Sequence, residues 1–260
     1  VLKRWSVRLA FWGLAVLVAA ALLGGVLWGL QRWLVSYNRY FTLRRVTLEG
    51  NRSLTEQAVR QRLEQAGAVV GSSNLMRLPV RALREALELD PLVARAEVVR
   101  RVPDLVHVVV VERTPIASVH GRAPCFVDDE GVALPWRDLS KERLLPSIAG
   151  VRSPVPLVPG QPVQDEALRG AVRLLRLLAR RADGPNYDVE IVQLDYQLPS
   201  LILHLRPRGT FREGAKVVVP VQGMEEALDR LRDIHRIRTA SGQTTSFVDV
   251  TYRKNVPVLP

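Results

Sequence analysis

The sequence is poor in the residues that most readily carry chemistry. It has one cysteine, Cys125, and four histidines among 260 residues, which excludes an intramolecular disulfide and a cysteine-based zinc cluster. A solitary Cys125 reads as a small buried hydrophobe or an inert thiol. Aromatic residues make up only 6%, and they do not alternate with basic residues as base-stacking platforms require. Lysine is almost absent: Lys3, Lys141, Lys216 and Lys254 are the full set, so the formal charge of +11 rests on arginine. That excess suggests nucleic acid or an anionic membrane surface. The arginines are spread along the chain, however, including helix faces such as Arg173, Arg176, Arg180 and Arg181. No nucleic-acid function is expected, and attraction to anionic lipid headgroups fits better. Ser-x-x-Lys, Gly-x-Ser-x-Gly, phosphate-cradling loops and His-x-x-x-His are missing too.

One further absence limits everything else. No charged residue occurs from Leu9 to Leu30. As a helix that run of about 22 residues rises about 33 Å, enough for a hydrocarbon core of about 30 Å. A cleaved secretory signal is the alternative, with Lys3, Arg4 and Arg8 as its basic region and Ala19, Ala20 and Ala21 near its cleavage site. Signal cores run about 7–15 residues, however, and this one is longer. Trp28, Trp33, Tyr37 and Tyr40 resemble an interfacial belt, so the run is read as an uncleaved anchor. Orientation is close on charge alone, with Lys3, Arg4 and Arg8 set against Arg32, Arg39, Arg44 and Arg45. The short tail favours a cytoplasmic N-terminus, with residues from about Gln31 outside. Ala21, Gly25 and Gly29 recur every fourth residue, a spacing that lets a second helix approach in lipid. Ordinary small-residue content is the equal alternative.

The rest divides into a connector (31–40), a first domain (41–115), a second domain (116–252) and a tail (253–260), behind a tail at 1–8 and the span at 9–30. In the first domain Leu43, Val46 and Leu48 set an extended segment that stops at Gly50-Asn51. Ser53-Leu54-Thr55-Glu56 fits a capping box, and Ala58, Val59, Leu63 and Ala66 form a helical stripe ending at Gly67. Asn74-Leu75-Met76 leads into a second helix with Pro79 in its first turn, Leu83 and Leu87 inward and Asp90-Pro91 at its end. A strand follows with Ala94, Ala96 and Val98 on one face, then the turn Val102-Pro103-Asp104 and a β-branched return strand from Leu105 to Val111. The order β-α-α-β-β puts two helices on one face of a three-stranded sheet.

In the second domain Phe126-Val127-Asp128-x-x-Gly131-Val132 reads as a hairpin. Pro154, Pro156, Pro159 and Pro162 punctuate a loop, and Asp165 opens a helix with Leu168, Val172, Leu175 and Ala179 inward. Strands are expected at Val189–Tyr196, Leu201–Leu205, Lys216–Val221 and Ser246–Tyr252. A helix bearing Met224, Ala227, Leu228, Leu231 and Ile234 precedes the last of these.

Three runs carry a resemblance: Val46-x-Leu48-x-Gly50-Asn51; Asp90-Pro91-Leu92-Val93-x-x-Ala96-x-Val98-x-Arg100-x-x-Pro103; and Val110-x-Glu112-Arg113-x-Pro115-x-Ala117. Leu145-Pro146-x-Ile148-x-Gly150 and Val248-Asp249-Val250-x-Tyr252 extend it. In order and spacing behind one anchor, they resemble the FtsQ/DivIB cell-division family, a POTRA domain followed by a mixed β domain with helices. Val102 stands where that family often has Trp, and Pro220-Val221 where it often has Leu-Gly. The resemblance implies a non-catalytic, cofactor-free divisome scaffold in the cytoplasmic membrane at the septum. It also implies FtsB and FtsL-like partners, an FtsK-like recruiter and the septal peptidoglycan synthase complex. The alternative is another POTRA protein acting in envelope assembly or export, although about 145 residues after Pro115 leave no room for a long β-barrel.

Candidate sites follow from these expectations. The β-prone run Phe247, Val248, Asp249, Val250, Thr251 and Tyr252 is expected to be an edge strand that a partner extends, with Arg253 and Lys254 steering an acidic segment. The other reading is that Phe247, Val248 and Val250 simply close the core. Arg95 and Arg100, on the hairpin Ala94–Val111, mark a candidate recruitment surface. For chemistry, Cys125 and His120 are the nearest thing to a nucleophile and base, but no motif surrounds them. Asp128, Asp129 and Glu130 read as a solvated turn rather than a metal site. His107, His204 and His235 sit on strand or helix faces that suit structural histidines.

Overall fold

The computed structural model describes residues 2–121, 123–136, 145–152, 156–181 and 187–260. Pro154 and the side chains of Lys3, Arg4, Arg8 and Tyr37 lie outside the described residues. A single helix, α1 (Leu2–Tyr37), contains the apolar span Trp12–Leu30. The connector expected at 31–40 is therefore mostly helical. No Pro or Gly interrupts Gln31–Tyr37, and the chain leaves the helix only at Asn38, whose carboxamide caps a short 3-10 turn, Arg39–Phe41.

Contacts divide the chain into two units. The first comprises β1 (Arg45–Glu49), α2 (Glu56–Gln65), α3 (Val80–Glu88), β2 (Val93–Arg101) and β3 (Leu105–Glu112). The sheet order is β1-β3-β2, with β1 parallel and β2 antiparallel to the central β3. Val106, Val108 and Val110 of β3 are buried, as are Val59 and Leu63 of α2 and Leu83 and Leu87 of α3. Gly50 must be glycine. Its φ is +83°, and a Cβ there would stand 2.2 Å from the Val110 carbonyl oxygen.

Two local readings are corrected here. The N-cap of α2 is Thr55, whose hydroxyl accepts the Ala58 amide at 3.2 Å, while Glu56 sits one residue inside and pairs with Arg60. The Ser53 amide, which that box would give to Glu56, is met from elsewhere: the Glu112 carboxylate accepts it together with the amides of Arg52 and Leu54 at 2.7–2.9 Å. In β2, a bulge between Val93 and Arg95 turns Ala94 out to solvent, so the inward row is Val93, Ala96 and Val98.

The second unit holds β4 (Pro115–Val119), β5 (Cys125–Asp128), β6 (Ala133–Leu134), β7 (Ser147–Ala149), α4 (Glu166–Arg180), β8 (Val189–Asp195), β9 (Ser200–Leu205), β10 (Phe211–Pro220), α5 (Met224–Ala240), β11 (Thr245–Asp249) and β12 (Val258–Leu259). Among the described residues they form one nine-stranded sheet in the order β12-β11-β10-β9-β8-β7-β4-β5-β6. The apolar rows of α4 and α5, including Leu168, Leu174, Leu228 and Leu231, share a core with Ile148, Val192, Leu203 and Val217. Ala179, expected on the inward row of α4, is exposed, and β10 begins at Phe211 rather than Lys216. Asp128 is not a solvated turn residue. It is 2% exposed, receives Arg113 Nη1 at 2.6 Å, and accepts the Glu130 and Val132 amides. Arg113 also reaches Glu130 at 2.8 Å.

Glu112 supplies a test. Partial burial works to raise its carboxyl, but the bonds from Leu54, Arg52 and Ser53 outweigh it and hold the group below the usual glutamate value. Such a group stabilises the fold above its unfolded pKa, about 4.3, and that contribution is lost as pH falls through the lowered folded value. Hydrogen exchange of β3 amides in the full chain should show protection falling below about pH 4.3. Glu112→Gln should lower protection by about 1 kcal/mol at neutral pH and flatten that acid dependence. An unchanged acid profile in the variant would contradict the assignment.

Candidate partner-binding edges

The expected closing strand is shorter than the sequence suggests. β11 ends at Asp249 because that side chain accepts both the Thr251 amide, at 3.0 Å, and the Thr251 hydroxyl, at 2.6 Å, which turns the backbone out of the ladder. Val250 is committed to the fold: its amide donates to Val218, its carbonyl accepts Arg230 Nη2, and its side chain is fully buried. Val248 is likewise buried, and Phe247 half-buried. These valines serve the core, so they have no side chain to offer a partner.

Nor is β11 the edge. It runs parallel to β10 on one side and pairs antiparallel with β12 on the other, with Phe247 opposite Leu259 and Val248 opposite Val258. The Asp249 amide donates to the Pro257 carbonyl at 3.1 Å. In an antiparallel ladder inward and outward backbone groups alternate, so Pro257 and Leu259 face β11 while the N–H and C=O of Val258 point away from the sheet. Sequence reading missed Val258 and Leu259. The available signal was the apolar alternation Val256-x-Val258 after a turn at Asn255, whose φ is +54°. Tyr252, Arg253 and Lys254 lie in the turn between the strands and are exposed, Tyr252 by 55%. Leu259, opposite Phe247, is 56% exposed.

In the first unit the sheet edges are β1 and β2, with β3 interior. β2 therefore presents an open side, but its two arginines differ. Arg95 is exposed opposite Val111, and no ion pair or hydrogen bond engages it among the described residues. Arg100 lies in the row of Ala96 and Val98 and donates Nη2 to the Leu78 carbonyl at 2.6 Å, just before α3. It braces the helices as well as lining the edge.

On α1, Ala21, Gly25 and Gly29 share one exposed face, and a Cβ at either glycine would meet nothing within 4 Å. The residues considered for chemistry have structural surroundings. Cys125 is buried, which pushes its thiol pKa up, whereas a nucleophile needs the opposite shift. His120 lies 3.5 Å from the Ser118 hydroxyl and edge-on to Trp136. His107 sits 2.9 Å from the Thr47 hydroxyl and His204 contacts Gln193. His235 stacks on Phe211 with Nδ1 2.8 Å from the Thr210 hydroxyl. Among the described residues no group of His, Cys, Asp and Glu is placed to hold a metal.

A three-stranded β1-β3-β2 sheet covered by two helices, behind an apolar helix and ahead of a larger sheet, defines a POTRA-bearing anchored protein. The family described as POTRA domain, FtsQ-type, matches residues 41–113. Over 233 residues, 88% of this chain and 77% of the relative, the sequence is 26% identical to Cell division protein FtsQ of Myxococcus fulvus. The first unit is thus a POTRA domain of the FtsQ type, and the chain over most of its length is similar to a cell-division protein FtsQ, behind an N-terminal helix long and apolar enough to cross a membrane.

The two arginines of β2 are separable by stability. Arg100→Ala should cost about 1.5 kcal/mol by loss of a charged hydrogen bond, read as faster exchange in α3 and β2, whereas Arg95→Ala should stay within about 0.5 kcal/mol of wild type. Equal losses would refute the distinction.

Proposed function

We propose that this chain is a member of the FtsQ/DivIB family and a non-catalytic adaptor of the divisome, with its N-terminus cytoplasmic and its two folded units outside, concentrated at the septum. An FtsB-like segment, itself paired with an FtsL-like chain, adds to the β12 edge. The FtsQ/DivIB resemblance supplies these partner classes. The observation that carries the reading is the open backbone of Val258 beside exposed Leu259 and the Tyr252-Arg253-Lys254 turn.

Main-chain bonds to Val258 provide affinity for an extended segment without requiring a particular sequence. Specificity comes from what flanks them. Tyr252 offers a large, weakly entropic contact of the kind that concentrates binding energy, and Arg253 and Lys254 attract an acidic segment and raise its association rate more than they hold it. Phe247 contributes through its partly exposed side, while Val248 and Val250 keep the strand in place from the core. The open side of β2, with Arg95 on it, is the recruitment surface for an FtsK-like protein. The Ala21, Gly25 and Gly29 face of α1 is a helix-pairing stripe, and the septal peptidoglycan synthase complex is reached through these partners.

Cells depleted of the protein should filament, and a fluorescently tagged wild-type chain should restore division and collect at the septum. The double variant Tyr252→Ala, Arg253→Glu, with circular dichroism unchanged, should bind the FtsB-like segment at least about tenfold more weakly, a loss of about 1.4 kcal/mol, and fail to restore division. Unaltered affinity in a folded variant would remove these residues from the interface. Outer-membrane assembly defects without filamentation would favour an envelope-assembly POTRA protein instead.

A further inference from the structure

The first unit carries a polar hollow directly beyond the anchor, and neither partner edge uses it. Its volume is about 390 Å³, and its lining includes Arg39, Thr42, Ser72, Ser73, Asn74 and Arg77. That is within the range of ligand-binding clefts, about 300–1,000 Å³. The lining comes from three stretches: the exit from α1, the turn after α2, and the 3-10 turn before α3.

The charge of the hollow has one sign. Arg39 and Arg77 line it and no carboxylate does. Several of its polar groups are already engaged and so form fixed walls. The Thr42 hydroxyl donates to the Arg39 carbonyl, the Ser73 hydroxyl to the Gly67 carbonyl, and the Asn74 carboxamide joins the Asn38 carbonyl to the Met76 amide. Ser72 and Arg39 are exposed at the surface. The hollow is thus a preformed, cationic cleft whose guanidinium groups suit a phosphate ester.

Depth selects the source of that phosphate. The apolar span ends at Leu30, and α1 continues as helix to Tyr37. Asn38 then lies about 12 Å beyond the hydrocarbon edge along the helix, less when tilted. The headgroup layer occupies roughly 5–8 Å on each side, and the snorkelling reach of an arginine spans the difference. Trp33 and Tyr40 are exposed around this level, and Tyr40 packs edge-on to Phe41 at 5.4 Å. Aromatics of this kind gather at membrane interfaces.

We propose that this hollow seats the headgroup phosphate of an anionic phospholipid between Arg39 and Arg77. The lipid then ties the exit from the anchor to the α2–α3 connection, coupling the POTRA unit to the bilayer surface. The proposal rests on α1 spanning the membrane and is independent of which partners bind the β edges.

The test uses the full chain in nanodiscs of phosphatidylcholine containing a minority of phosphatidylglycerol, with retained lipid counted by native mass spectrometry. Wild type should retain phosphatidylglycerol preferentially. Arg39→Gln with Arg77→Gln should reduce that preference about tenfold or more, whereas the charge-matched pair Arg173→Gln, Arg212→Gln should keep it. Ser72→Asp, at an exposed position, should reduce it as strongly and decides the matter if the arginine variant fails to fold. Three results would each overturn the proposal: equal retention by wild type and the hollow variants, equal loss in the control pair, or displacement of the lipid by millimolar inorganic phosphate, which would make the hollow a site for the free anion.

Discussion

Two adjacent residues of opposite charge, Glu112 and Arg113, hold the fold at the place where one unit ends and the next begins. Glu112 folds back within the first unit and collects three consecutive amides before α2. Arg113 belongs to the second unit, where it meets Asp128, a carboxylate that is 2% exposed, and Glu130. A buried acid without its cation is strongly destabilising, so Asp128 obliges Arg113 to be there. The carboxylate in turn fixes the β5–β6 turn through the Glu130 and Val132 amides. Each unit is thus closed by a side chain from the same dipeptide.

The same economy shapes the far end of the second unit. Asp249 ends β11 by taking up Thr251, and Arg230 of α5 secures the Val250 carbonyl. The chain can then return as β12 in only two paired residues. Short, partly charged margins are how sheets avoid indiscriminate pairing. Here the margin is just long enough to leave one residue, Val258, with both backbone groups outward. At this end of the larger sheet the place for an added strand is narrow and flanked by a turn with an aromatic and two cations, and that restriction favours a chosen partner over self-association.

Much of this was legible in the sequence, for identifiable reasons. The uncharged run to Leu30 has no reading other than a membrane helix or a signal, and the β-α-α-β-β order follows from strong periodicity and from Gly50, whose left-handed backbone admits no side chain against Val110. What escaped depends on tertiary partners. Nothing local says that Glu112, some sixty residues away in sequence, will take the place of Glu56 as the acceptor for the Ser53 amide. The bulge that exposes Ala94 is invisible in a run whose alternation looks regular. The run Phe247–Tyr252 has uniform β propensity, so the stop at Asp249 hinges on a single side-chain turn. β12 is too short for any periodicity, and Arg100 looks like an ordinary surface charge until Leu78 lies beneath it.

The central claim is that a partner strand pairs with β12 through Val258. Residue-resolved amide hydrogen exchange on the full chain, with and without the FtsB-like segment, measures it directly. The account predicts that the Val258 amide exchanges freely alone and becomes protected on binding, while Leu259, already bonded toward β11, changes little by comparison. Binding that leaves the Val258 amide unprotected, or that protects β2 of the POTRA sheet instead, would contradict it.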